Sequence, residues 1–324
     1  MGLLIDGAWT DQWYDTRESK GAFERQPSQF QQWVRSDGST PFSPEPNRYH
    51  LYVSLACPWA HRTLIFRRLK GLEDVLSVSV VHPLMGENGW EFKEGPGCTT
   101  DPLYDATALH QLYTRADPRC TTRVTVPILW DKQTHTLVNN ESANIIRMLN
   151  TEFNALTDVS DDYFPPHLRE AIDAINARVY HGLNNGVYRA GFATTQAAYD
   201  EAVHLVFETL DHLESLLKQK RYLTGDQITE ADWRLFPTLI RFDAVYHGHF
   251  KCNRQLLREY TNLWNYTLEL AQIPGIEETI NLDHIVQHYY GSHPTLNPSG
   301  IVPMGPDLKT GQRHNRADLF SESS

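Results

Sequence analysis

The hydrophobic pattern of the chain changes character near residue 150. Before that point, short alternating runs are interleaved with helical periods; after it, helical periods alone remain. Tyr49-His50-Leu51-Tyr52-Val53 alternates and is rich in β-formers, which predicts a strand near 47–55. From Pro58 onward, Leu64, Ile65, Leu69 and Leu72 recur at helical spacing, predicting a helix near 58–71 with proline at its first position. Val75–Val81 is the next strand. Gly86, Gly89, Gly95, Pro96 and Gly97 then mark a segment too glycine-rich for regular structure. A helix over Ala108–Arg115, strands in Val124–Trp130 and Thr134–Val138, and a helix over Glu141–Leu149 complete the first half. The order β-α-β-α-β-β-α predicts a thioredoxin-like α/β domain over 46–152.

Strand signals vanish after Pro165-Pro166, so 163–290 is expected to be an all-helical domain. Val203, Val206, Phe207, Leu210, Leu213 and Leu217 give one long amphipathic helix. Thr229 and Asp232 have the spacing of a capping box, opening a helix through Trp233, Leu235, Phe236, Leu239 and Ile240. Pro237 should kink or divide that helix. Further helical periods lie near 257–272 and 275–290. Residues 1–45 are polar with scattered aromatics and no clear period, as expected of an extension packed along the body. The tail, 291–324, with Pro294, Pro298, Pro303 and Pro306, is expected to be irregular.

Composition narrows the class. The 324 residues are 40% hydrophobic and carry a formal charge of −11, which disfavours nucleic acid and anionic lipid as partners. No window approaches the roughly 20 apolar residues of a membrane helix. The N-terminus lacks the basic segment and apolar core of a signal peptide, and Asp6 breaks the myristoylation pattern. Cys57, Cys98, Cys120 and Cys252 are widely spaced with no CxxC, so neither a disulfide framework nor a zinc site is expected. The 15 histidines form no metal-ligand pair of HExxH type, and the glycines match neither a phosphate loop nor GxGxxG. A reduced, cytoplasmic, metal-free protein is the expectation.

Within this frame Cys57 stands out, because it falls where a strand runs into a helix. Unpaired amides and the positive end of the helix dipole favour thiolate there, and such sites lower a cysteine pKa from about 8.5 into roughly 3.5–7.5. Two other features share the domain. Val126-Pro127 precedes a strand, where this fold places a cis peptide beside the thiol, leaving backbone groups for a peptide-like ligand. Glu141-Ser142 opens a helix and suits a carboxylate together with its ammonium. Together they fit glutathione. Cys98, Cys120 and Cys252 are expected to be packing residues.

With an all-helical second domain added, the chain resembles the glutathione transferase superfamily from about 47 to 290. Ser54-Leu55-Ala56-Cys57-Pro58-Trp59-Ala60-His61-Arg62, Asn184–Ala193 and His288-Tyr289-Tyr290-Gly291-Ser292-His293 closely resemble the glutathionyl-hydroquinone reductases, the Xi class. The resemblance implies Cys57 as nucleophile, with Val126 and Pro127 pairing with the glutathione backbone. It implies Glu141 and Ser142 at the γ-glutamyl end, Trp90 covering glutathione and Arg123 near its glycyl carboxylate. Tyr188 and Tyr289 would face the quinol, with Tyr290 the alternative to Tyr289. The implied reaction transfers glutathione from a hydroquinone to Cys57, and a second glutathione, as co-substrate, releases it as oxidised glutathione. Ala60 stands where a dithiol enzyme carries its resolving cysteine, which favours a diffusible thiol for that step. A homodimer is implied as well. The alternatives are an omega-like thiol transferase acting on dehydroascorbate or mixed disulfides, and a non-catalytic binding protein of the same fold.

Overall fold

The N-terminal extension opens as a hairpin. In the computed structural model, which describes residues 2–320, β1 (Leu3–Ile5) and β2 (Ala8–Thr10) pair antiparallel. The loop is Asp6-Gly7, both at positive φ (47° and 78°), the backbone that a tight two-residue hairpin turn requires. The extension, whose polar sequence shows no period, therefore begins with regular structure.

The first domain is built on a four-stranded sheet. Its strands are β3 (Tyr49–Val53), β4 (Ser77–Val80), β6 (Ile128–Asp131) and β7 (Thr136–Asn139), while β5 (Thr122–Arg123) pairs with β1 in the small separate sheet. Spatial order is β4-β3-β6-β7, with β3 and β4 parallel and the other pairs antiparallel. Every residue of β3 is buried, as suits a central strand. Helices α1 (Pro58–Leu69) and α3 (Ser142–Thr151) pack together, and α2 (His110–Ala116) lies against β7. Residues 124–127 stay outside the sheet, so the third predicted strand is shorter than its apolar run.

The second half is helical: α4 (Arg169–Val179), α5 (Gly186–Gly191), α6 (Gln196–Leu217), α7 (Glu230–Arg241), α8 (Thr261–Ala271) and α9 (Leu282–Gly291). In the tail, α10 (Arg316–Leu319) adds one turn, with Arg316 buried against the carbonyls of Leu217, Lys220 and Arg221. The capping box of Thr229 and Asp232 is present at the start of α7. Pro237 does not divide that helix, which continues to Arg241. All of its residues except Arg234 are buried, so tertiary packing overrides the local cost of proline. α7 also packs on α1, joining the two halves. Across that seam, Arg62 of α1 donates to Asn184 Oδ1 and to the Arg234 carbonyl, each at 3.0 Å.

Candidate active site

Cys57 is the N-cap of α1, in extended conformation (φ −77°, ψ 123°), with Pro58 starting the helix. No amide caps its sulfur by a hydrogen bond, but the nearby backbone of Ala60 and Trp59 and the charges of Arg241 and Arg25 favour thiolate. Burial outweighs them. The residue is 9% exposed, and desolvation pushes the thiol above its ordinary value, contrary to the lowered pKa expected from sequence. The thiol instead donates to the Val126 carbonyl at 3.6 Å. Arg241 of α7, fully buried, donates to the carbonyls of Ala56 (2.9 Å) and Leu55 (3.1 Å), fixing the loop that delivers Cys57.

An open cleft with about 570 Å³ of empty space lies on one side of Trp59. The Val126–Pro127 peptide on its wall is cis. Glu141 is the N-cap of α3; its carboxylate accepts from the Ala143 amide (3.1 Å) and from Ser28 Oγ (3.1 Å). Ser142 follows, its Oγ accepting from Arg62 at 3.4 Å. This helix start, with the Glu141 carboxylate beside the Ser142 amide and hydroxyl, can take an ammonium and a carboxylate from one ligand. Arg123 lines the same cleft, but its Nη atoms donate to the carbonyls of Gln12 (2.5 Å) and Trp13 (3.3 Å), and its guanidinium stacks on Tyr14 at 4.1 Å. Only its buried Nε is without a partner. Its visible work is to hold the extension in place.

A second pocket, with about 580 Å³ of empty space, adjoins the first at Trp59 and Val126, is lined by Cys57 and is walled by aromatic rings. Tyr188 of α5 and Tyr289 of α9 meet there, their hydroxyls 2.5 Å apart, and the Tyr246 hydroxyl is 3.0 Å from that of Tyr289. Burial raises the pKa of all three phenols, so each is a hydrogen-bond donor at neutral pH. Tyr290 points elsewhere, its ring tilted at 56° against His249 with centroids 4.7 Å apart. Trp90 lies in this second pocket, stacked on His288 at 4.7 Å. His288 Nδ1 donates to the Pro83 carbonyl (2.9 Å), and burial drops its pKa to about 4, leaving the ring neutral. π-helical turns at Tyr180–Asn184 and Phe242–Tyr246 re-aim the chain just before Tyr188 and at Tyr246. Gly191 lets α5 approach Phe250, whose ring lies 2.2 Å from where a Cβ would sit.

Several residues of these pockets were given no role by the sequence reading, although Phe192, His288 and His293 fall within motifs it singled out. The extension supplies Trp13, Tyr14, Phe23 and Arg25, and the helical half adds Phe192, His288 and His293. The signal for the first group was aromatic density in a polar segment: Trp9, Trp13, Tyr14, Phe23, Phe30 and Trp33 are more than a linker needs. Among the described residues no group of His, Cys, Asp or Glu side chains is placed to hold a metal ion.

A thiol at the start of a helix, a cis-proline edge and an all-helical partner domain define a glutathione transferase. Accordingly, the family "Glutathione S-transferase, N-terminal domain" matches residues 56–152 and "Glutathione S-transferase, C-terminal domain" matches 196–268. The chain is 56% identical to the glutathionyl-hydroquinone reductase YqjG of Escherichia coli, over 99% of this chain and 100% of that one. It is likewise 56% identical to the glutathionyl-hydroquinone reductase PcpF of Sphingobium chlorophenolicum, over 94% and 96%. Among solved structures, a Xi-class transferase from Natrialba magadii superposes with a TM-score of 0.92 at 50% identity, covering 98% and 97%. Glutathione-bound YqjG gives 0.90 at 53% identity, over 98% and 100%. The chain belongs to the Xi-class glutathione transferases, the family of the glutathionyl-hydroquinone reductases.

Proposed function

We propose that the protein reduces S-glutathionyl-hydroquinones to hydroquinones, using glutathione as co-substrate. The observation that carries this reading is that Cys57 shares a pocket with the paired phenols, and that this pocket has Trp59, Thr125 and Val126 in common with the cleft beside cis-Pro127. In the first cleft, glutathione pairs its backbone with Val126 beside cis-Pro127. Glu141 takes its ammonium, and the amide and hydroxyl of Ser142 take the γ-glutamyl carboxylate. Arg123 acts at the glycyl end chiefly by holding residues 12–13 as a wall, and Trp90 closes the site over the sulfur. The hydroquinone ring lies in the second pocket, against Tyr188 and Tyr289.

The chemistry balances with a protonated thiol. The sulfur of Cys57 bonds to the glutathionyl sulfur as the carbon–sulfur bond breaks, and the ring carbon gains one proton as the thiol loses one. Because carbon is a poor leaving atom, charge must pass through a ring oxygen, which the hydroxyls of Tyr188 and Tyr289 are placed to receive. A second glutathione thiolate then attacks the mixed disulfide, releasing oxidised glutathione and Cys57. Omega-like thiol transfer would use the same sulfur but give the phenol pair no task. Turnover of Cys57→Ser protein on a glutathionyl-hydroquinone tests the reading: activity should vanish while glutathione still binds, and retained activity refutes it. The family resemblance also supports a homodimer acting in the cytoplasm; among the described residues no helix is long and apolar enough to cross a membrane.

A further inference from the structure

Arg25 occupies an unusual position for a residue of an N-terminal extension. Its guanidinium carbon lies 5.1 Å from the Trp59 ring, 5.0 Å from the Tyr188 ring and 5.5 Å from the Phe23 ring. Its Nε donates to Asn185 Oδ1 at 3.1 Å, which fixes the plane of the group. Stacking on several rings holds a cation in place without neutralising it. The residue is half-buried and lines both pockets. Among the described residues no carboxylate forms an ion pair with it, although the chain carries a net charge of −11. Every other side chain of the aromatic pocket is apolar, hydroxylic, the Cys57 thiol or an imidazole, and burial keeps His288 and His293 uncharged. Arg25 thus sets the sign of this pocket.

A half-desolvated guanidinium with no anionic partner is stabilised when a ligand brings an anion to it. The place for that anion is beside Tyr188, where the leaving ring's oxygen gathers charge. Resting on the reductase reading above, the geometry points to Arg25 as an anion-binding residue that selects glutathionyl-hydroquinones bearing an acidic ring substituent, a carboxylate above all. Oxygen charge formed during the reaction falls under the same group.

The test compares full-length wild-type protein with Arg25→Gln and Arg25→Lys on two substrates. One is a glutathionyl-hydroquinone with a ring carboxylate; the other is glutathionyl-menadiol, whose ring is uncharged. Loss of a charge-assisted hydrogen bond should lower kcat/KM for the carboxylated substrate about 10–100-fold in Arg25→Gln. The uncharged substrate should lose several-fold less, lysine should restore part of the selectivity, and glutathione affinity by calorimetry should hold. Affinity for the free carboxylated hydroquinone should fall by a similar factor, a readout independent of turnover. Equal losses on both substrates overturn the assignment, as does unchanged binding of the carboxylated hydroquinone. A fall in glutathione affinity also overturns it, since Arg25 would then be a ligand of glutathione itself. Failure of the wild type to turn over either substrate refutes the reductase reading instead, and the binding comparison still decides the role of Arg25.

Discussion

Removing the hydroxyl of Tyr188 separates the chemistry of the quinol pocket from its architecture. In Tyr188→Phe the ring stays, and with it the stacking of Arg25 at 5.0 Å and the edge contact with Phe250 at 5.3 Å. One hydrogen bond is lost, the 2.5 Å contact with Tyr289, but Tyr289 keeps Tyr246 at 3.0 Å and is not orphaned. The stability cost should therefore be that of a single satisfied hydrogen bond, about 0.5–1.5 kcal/mol, or a melting shift of about 1–5 °C. The cost to turnover should be larger. A preorganised donor to developing oxygen charge contributes about 10²–10³ in kcat. Tyr188 lies outside the cleft that holds Glu141 and Ser142, so glutathione affinity should not move. Steady-state kinetics on glutathionyl-menadiol, calorimetry with glutathione and a thermal melt give the three numbers. An unchanged kcat beside a normal melt refutes the role of the phenol. Tyr289→Phe is the poorer probe, since it strands the buried Tyr246 hydroxyl and mixes a folding defect into the result.

Glu141→Gln keeps an oxygen to cap the Ala143 amide but removes the charge offered to an ammonium; glutathione affinity should fall about 10–100-fold with little change in melting, and unchanged affinity would contradict the assignment. Arg123→Gln should release the extension from its anchors at Gln12 and Trp13, so that trypsin cuts at Arg17, Lys20 and Arg25 several-fold faster and turnover drops; identical digestion would remove that anchoring role. Burial raises the Cys57 pKa in the folded protein, so the free enzyme holds its thiol proton into the alkaline range. Alkylation of Cys57 by iodoacetamide should still be accelerating past about pH 9, where a thiol at an exposed helix start would have levelled off; a plateau below neutrality would show that the helix amides and arginines win after all.

The α/β order was legible because each element carries its own period. Alternation through Tyr49–Val53 and helical spacing from Pro58 need no distant partner to be recognised. The start of the extension was not, because β1 and β2 have three residues each, and their third strand lies more than 110 residues away in Thr122–Arg123. Asp6-Gly7 was the one local clue. Of the two outcomes expected at Pro237, division did not occur: a local rule about helix breaking lost to a helix buried at every position but Arg234. The same division runs through the site. Cys57, Val126-Pro127 and Glu141-Ser142 owe their positions to secondary-structure boundaries, and those can be seen in one dimension. Arg25, His288, His293 and Tyr246 owe theirs to packing between segments far apart in the chain. The direction of the thiol's pKa shift belongs with them, because the N-cap position shows the amides beneath the sulfur but not the rings above it.

Intact-mass spectrometry after brief exposure to glutathionyl-menadiol, with no free glutathione present, tests the central claim most directly. The wild-type protein should gain one glutathione, located at Cys57 by peptide mapping and removed by added glutathione, while Cys57→Ala protein gains none. A wild-type mass that does not change, or an adduct mapped to Cys98, Cys120 or Cys252, would contradict it.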